Sequence, residues 1–161
     1  RVRGLDRRRG RRRLGRLRGI PAHRRRCGTI AAQHARRGDH GESQKTARAI
    51  MDYVRQGGRL GVVCDLWDKT GLPVPFFGKD AATVTIPGMI ARRAGGRIWL
   101  SRCIRQGNDS RFVIELKELR VPRSANQGDD VKWITAAMTR QFEEWVRDKP
   151  EQWMWSNRRW S

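Results

Sequence analysis

An abrupt change of composition near residue 43 constrains this chain more than any other feature. Residues 1–50 carry seventeen Lys/Arg against three Asp/Glu, a net +14 of the +20 borne by all 161 residues. Residues 51–161 carry nineteen against thirteen, a net +6. Through residue 41 the sequence is low in complexity: RVRGLDRRRGRRRLGRLRG, then HRRRCG and HARRGDHG. Its apolar residues are too few and too scattered to form a buried face, so burial cannot offset the entropy of ordering it. Residues 1–42 therefore read as an Arg/Gly-rich arm, either disordered or translated out of frame, since GC-rich DNA read out of frame yields Arg, Gly and Ala codons. A functional arm of this charge would bind a polyanion, either nucleic acid or anionic lipid. Nothing beyond charge points to a specific nucleic acid.

The remainder excludes several classes. No run approaches the roughly 18 apolar residues that a membrane-spanning helix needs. The basic start lacks the apolar stretch of a secretory signal. It shares Arg richness and acid poverty with organelle transit peptides, but its arginines show no amphipathic period. Cys27, Cys64 and Cys103 are widely separated, and no Cys/His cluster has zinc spacing, so no metal is expected; separately, nothing in the residues points to a cofactor. Cys64 and Cys103 sit in apolar runs and read as small buried hydrophobes. No Walker loop, GxGxxG, GxSxG or HExxH occurs.

From Ser43 onward the pattern is that of a folded α/β domain, residues 43–161. Ser43 can cap a helix to about Gln56, with Ala47, Ile50, Met51 and Val54 on one face and Gly57-Gly58 ending it. The apolar run Leu60–Cys64, closed by Asp65, has the length and Val content of a buried strand. Residues 66–82, with Gly71, Pro73, Pro75 and Gly78, read as a loop. A helix follows over Thr83–Ala94, with Pro87 in its first turns. Arg97–Arg105 and Arg111–Leu119 alternate in hydropathy about a Gly107-Asn108-Asp109 turn, predicting an antiparallel hairpin. Val131, Ile134, Met138, Phe142 and Trp145 form the stripe of a last helix, begun near Asp129-Asp130 and stopped by Pro150.

Four places carry candidate chemistry. Asp65, at the end of an apolar strand, either opens onto a ligand crevice or caps the next turn. Phe76 and Phe77 of VPFFG either anchor their loop in the core or line an acyl-chain channel. Trp153, Trp155 and Trp160 flank Arg158 and Arg159, which suits a headgroup zone or a phosphorylated surface, or else a packed tail with arginines on indoles. His34 and Asp39 have the His-x4-Asp spacing of an oriented general base. In this Arg/Gly background the pair reads as coincidence.

Three blocks give residues 46–161 a resemblance to the C-terminal half of the bacterial lipid A late acyltransferases, the lauroyl/myristoyl transferase family. They are Gly58-Arg-Leu-Gly-Val-Val-Cys-Asp65, Val74-Pro-Phe-Phe-Gly78 with Ala81 or Ala82 and Thr83, and Pro150-Glu-Gln-Trp-Met-Trp-Ser-Asn-Arg-Arg-Trp160. The resemblance implies a glycerolipid-acyltransferase-like α/β fold, a mixed sheet flanked by helices and here incomplete. It implies acyl transfer from acyl carrier protein to a hydroxyl of a lipid A precursor, at an anionic membrane surface on the cytoplasmic face of the inner membrane. Asp65 falls on a position that supports catalysis in the family. Phe76, Phe77, Thr83, Trp153, Arg158 and Arg159 are the expected substrate contacts. Two departures accompany it. The chain has no apolar membrane anchor, and His34 lies only thirty-one residues before Asp65, much nearer than the family's His-x4-Asp/Glu block. A truncated or frame-disrupted member is the expectation, with its catalytic histidine missing.

Overall fold

The computed structural model describes residues 40–160, with side chains from Lys45 onward. The elements run α1 (His40–Arg55), β1 (Trp67–Phe76), β2 (Lys79–Thr83), α2 (Ile86–Ala94), β3 (Ile98–Arg105), β4 (Phe112–Leu119) and α3 (Gln127–Asp148), followed by a 3-10 turn at Pro150–Gln152. The architecture is mixed α/β, with three helices and two two-stranded antiparallel sheets among the described residues. The His34–Asp39 pair and nearly all of the Arg-rich arm lie outside them.

α3 organises the rest. Its first turn is capped by Asn126, whose Oδ1 accepts from the N–H of Gly128 at 2.9 Å and of Asp129 at 3.3 Å. Asp129 and Asp130 then meet the positive end of the helix. Ile134 and Met138 are buried with Ala91 of α2 and Ile98 and Leu100 of β3. One turn on, Phe142 packs against this cluster and against a second one, Phe76, Ala81 and Val146. A continuous stripe along α3 thus joins the β3–β4 hairpin to the β1–β2 hairpin.

α2 meets α3 through an ion pair as well. Arg92 Nε donates to Asp130 Oδ2 at 2.5 Å, and the Ser124 N–H donates to the same oxygen at 2.9 Å. Asp130 is only 4% exposed. The Arg92 guanidinium holds its carboxyl below the usual carboxylate range, against the opposing effect of desolvation, and Ser124 assists.

The expected β3–β4 hairpin forms in the register Ile98↔Leu119 through Arg105↔Phe112. Ile98, Leu100 and Ile104 point inward, as their alternation requires. β4 is exposed on both faces apart from Leu119, and Phe112, Ile114, Leu116 and Trp99 keep roughly half or more of their surface in water. Cys103, opposite Ile114, is exposed as well and is not the buried hydrophobe expected. It lies on the outer face of the pleat.

Two expectations need correction. Leu60–Cys64 forms no strand, and the stretch expected as a loop is a hairpin. Val74 pairs with Ala81 and Phe76 with Lys79, leaving Phe77-Gly78 as a two-residue turn with φ +54° and +77°. Positive φ at both positions gives the twist that hairpins favour. At a phenylalanine that geometry is strained, but two contacts offset it. The Phe77 N–H donates to Glu143 Oε2 at 2.9 Å, and Arg147 lies 4.6 Å over the ring. Pro73 and Pro75 share one parity, so their missing donors fall on one side of a strand in a two-stranded sheet. Two boundaries also move: α1 begins at His40, before the expected Ser43, and α2 at Ile86, after the expected Thr83.

Two outcomes follow. Met138→Ala should lower the unfolding free energy by about 2–5 kcal/mol in a denaturant titration, because the site is closed on all sides. The Asp130 carboxyl is acidified by folding, so its contribution is complete above about pH 4, the unfolded value, and is lost as pH falls through the folded value. Asp130→Asn should therefore flatten the acid limb of a stability–pH profile below about pH 4, measured by thermal melts.

Candidate functional site

Cys64 ends the apolar run, Asp65 follows it, and both are partly buried. The Cys64 side chain packs against the main core, and its thiol donates to the Val62 carbonyl at 3.3 Å. Burial, with the Asp65 charge, pushes the thiol up to about 11, and the Arg159 charge acts the other way. Asp65 helps to line a cleft of about 350 Å³. This is the lower end of the range of about 300–1,000 Å³ for small-ligand sites.

Three parts of the chain build the cleft: residues 62–65, strand β3, and the end of α3 with the turn that follows. Leu100, Ile104, Phe142, Trp145 and Trp153 make most of the wall apolar. Arg102, Lys149 and Gln152 supply polar groups. Arg102 was not singled out from the sequence, although it takes an inward position of β3 between Leu100 and Ile104. It bonds Glu115 and Asp148, each at 2.7 Å, and stacks 5.5 Å over Trp145. Burial works against its charge, but the two carboxylates outweigh that and raise its pKa above the ordinary value.

Of the other expected site residues, Phe76, Phe77, Thr83, Trp153 and Arg159 fall into one packed cluster beside this cleft, which Trp153 also lines. Phe76 is 1% exposed and touches Phe77, Trp153 and Trp160, the last at 5.5 Å between ring centres. Thr83 is fully buried and donates its hydroxyl to the Ala81 carbonyl. Arg159 is 4% exposed, and its guanidinium donates to Thr83 Oγ1 at 2.8 Å, to the Ala82 carbonyl at 3.2 Å and to the Leu66 carbonyl at 3.5 Å. It also lies 5.1 Å over the Phe76 ring. Desolvation lowers its pKa from the usual arginine value, opposed by the charges of Asp65 and Cys64. Arg158 is exposed and stacks 4.9 Å over Trp67. Of the two adjacent arginines, Arg158 is the one a ligand arriving from solvent meets.

The profile described as bacterial lipid A biosynthesis acyltransferase matches residues 31–161. The chain belongs to that family. Among curated proteins none matches the chain. The matched span takes in His34 and Asp39 as well as the cleft and the aromatic cluster. For this acyltransferase family member, no helix among the described residues is long and apolar enough to cross a membrane. Nor do they hold a group of three or more His, Cys, Asp or Glu that could hold a metal ion.

The two cysteines of the described region should label in order. Only thiolate reacts, and a pKa near 11 rather than 9.0 leaves Cys64 with roughly a hundredfold less of it at pH 8. Iodoacetamide at pH 8, followed by peptide mass analysis, should modify Cys103 well before Cys64.

Proposed function

We propose that this chain serves acyl transfer from an acyl carrier protein thioester to a hydroxyl of a lipid A precursor, on the cytoplasmic face of the inner membrane. The observation that carries the reading is Asp65 in the lining of a largely apolar cleft that also holds cations. A fatty acyl chain matches the wall, and a phosphorylated acceptor matches Lys149 and the exposed Arg158. In the reaction the acceptor oxygen forms the new ester bond and the carbon–sulfur bond breaks. The hydroxyl proton goes to a base and then to the departing thiolate, so the carrier leaves as a thiol. Asp65 is the carboxylate assigned to orient the acceptor or the base. Phe77 and Trp153 contact substrate from the cluster's rim, and Phe76 and Thr83 support them from inside.

The base is the weak point of this chain. His34 stands much nearer Asp65 in sequence than the family's spacing places its histidine, so we assign His34 and Asp39 no role. General-base catalysis is worth on the order of 10²–10⁴ in rate, and turnover by these 161 residues alone should fall short by that order. Acyl transfer measured with acyl carrier protein and precursor should be weak, insensitive to His34→Ala and reduced at least about tenfold by Asp65→Asn. Robust turnover that His34→Ala abolishes would reverse the assignment of the base. Full activity in Asp65→Asn would remove Asp65 from the site.

A second reading is supported by the tail itself. Met154 and Trp155 are more than half exposed beside Arg158, the composition of an interfacial anchor. A chain without turnover would then bind anionic lipid only. Sedimentation with vesicles tests it: binding should need anionic lipid and weaken with salt. Binding indifferent to salt would dismiss it.

A further inference from the structure

Arg159 is the one arginine of the described fold that is almost fully buried, at 4% exposed, and its hydrogen bonds there go to two carbonyls and a hydroxyl. Those acceptors belong to different places in the chain. The Leu66 carbonyl lies at the junction of Asp65 with Trp67, where β1 begins, whereas Ala82 and Thr83 end strand β2. The same side chain covers Phe76, at the end of β1. Residues 60–65 have no ladder to hold them, being outside every strand. The thiol of Cys64 bonds only within its own segment, to Val62. A planar guanidinium with donors fixed in a fork suits such a bridge, because one rigid group meets several acceptors at set angles.

We propose that Arg159 is the positioning residue of the site: it clamps the segment that carries Asp65 to the β1–β2 hairpin and so fixes where that carboxylate stands at the cleft. The role as a clamp stands on the hydrogen bonds, while its value for catalysis rests on the reading of Asp65 given above. Three consequences follow from the geometry. The hydrogen bonds of the cation go to neutral acceptors, so none of them occupies the Asp65 carboxylate, whose charge acts on Arg159 through space. The aromatic cluster under the guanidinium excludes water from the bridge. The C-terminal Asn-Arg-Arg-Trp block then acts from inside the protein through Arg159, with Arg158 outside it.

Cys64, next to Asp65, reports on the clamp without any need for turnover. In the full chain, Arg159→Met keeps the length of the side chain and removes all three bonds. Alkylation of Cys64 by iodoacetamide, read by peptide mass, should quicken about tenfold as the segment opens locally, with Cys103 and the circular dichroism spectrum unchanged. Thr83→Val removes one acceptor at nearly constant shape and should quicken Cys64 about threefold, the size of a single net hydrogen bond. Unchanged Cys64 rates in both folded variants would overturn the clamp. So would equal acceleration at both cysteines with loss of helical signal in both variants, since Arg159 would then hold the whole fold. In the acyl-transfer assay Arg159→Met should lower kcat about 10–100-fold with KM nearly constant, as misplacement does. Loss confined to KM would overturn positioning in favour of substrate contact. An inert Asp65→Asn beside a quickened Cys64 would leave the clamp and reject only the catalytic reading.

Discussion

Phe142 sits where two hydrophobic clusters touch, and the described fold hangs on that continuity. Toward the start of α3, Ile134 and Met138 close against α2 and β3; toward its end, Val146 closes against Phe76 and Ala81. Neither two-stranded sheet could stand by itself, since an isolated hairpin is marginal in water. Each becomes stable by laying one face on the same helix. The cleft lies where this arrangement leaves room, between β3, the end of α3 and the unladdered residues 62–65. Site and core are thus built from one helix, with Phe142, Trp145 and Val146 serving both.

Much of this was legible in the residues. The stripe of α3 and the alternation of β3 and β4 depend on periodicity within one element, and both formed with nearly the expected ends. The β1–β2 hairpin was illegible because Pro73, Pro75 and Gly78 signal a loop to any local rule. Only the parity of the prolines and the support of Phe77 by Glu143 and Arg147 permit a strand and a tight turn. The run Leu60–Cys64 misled in the opposite sense. Its Val-rich composition is strand-like, but a ladder is a property of neighbours, and no neighbour pairs with it among the described residues.

The candidate site divides along the same line. Asp65, Phe76, Thr83 and the Trp/Arg tail were legible as a group, through blocks that resemble the family. Their division of labour was not. Arg158 and Arg159 are adjacent, and composition cannot say which one turns inward. The structure sends Arg159 under the hairpin and leaves Arg158 over Trp67. Arg102 escaped notice for a related reason. An arginine at an inward position of β3 looks like a flaw in the alternation until Glu115, Asp148 and Trp145 are seen around it.

The outer face of the β3–β4 hairpin sets how this protein behaves in bulk solution. Trp99, Phe112, Ile114 and Leu116 present a greasy panel to water, while a formal charge of +20 keeps copies apart. The two act over different ranges. Coulomb repulsion reaches about 10 Å at 0.1 M salt and shrinks as salt is added, whereas attraction between apolar panels acts at contact and survives it. Colloidal stability is therefore a balance tuned by ionic strength: dilute buffer keeps the chains dispersed, and concentrated salt brings panel against panel.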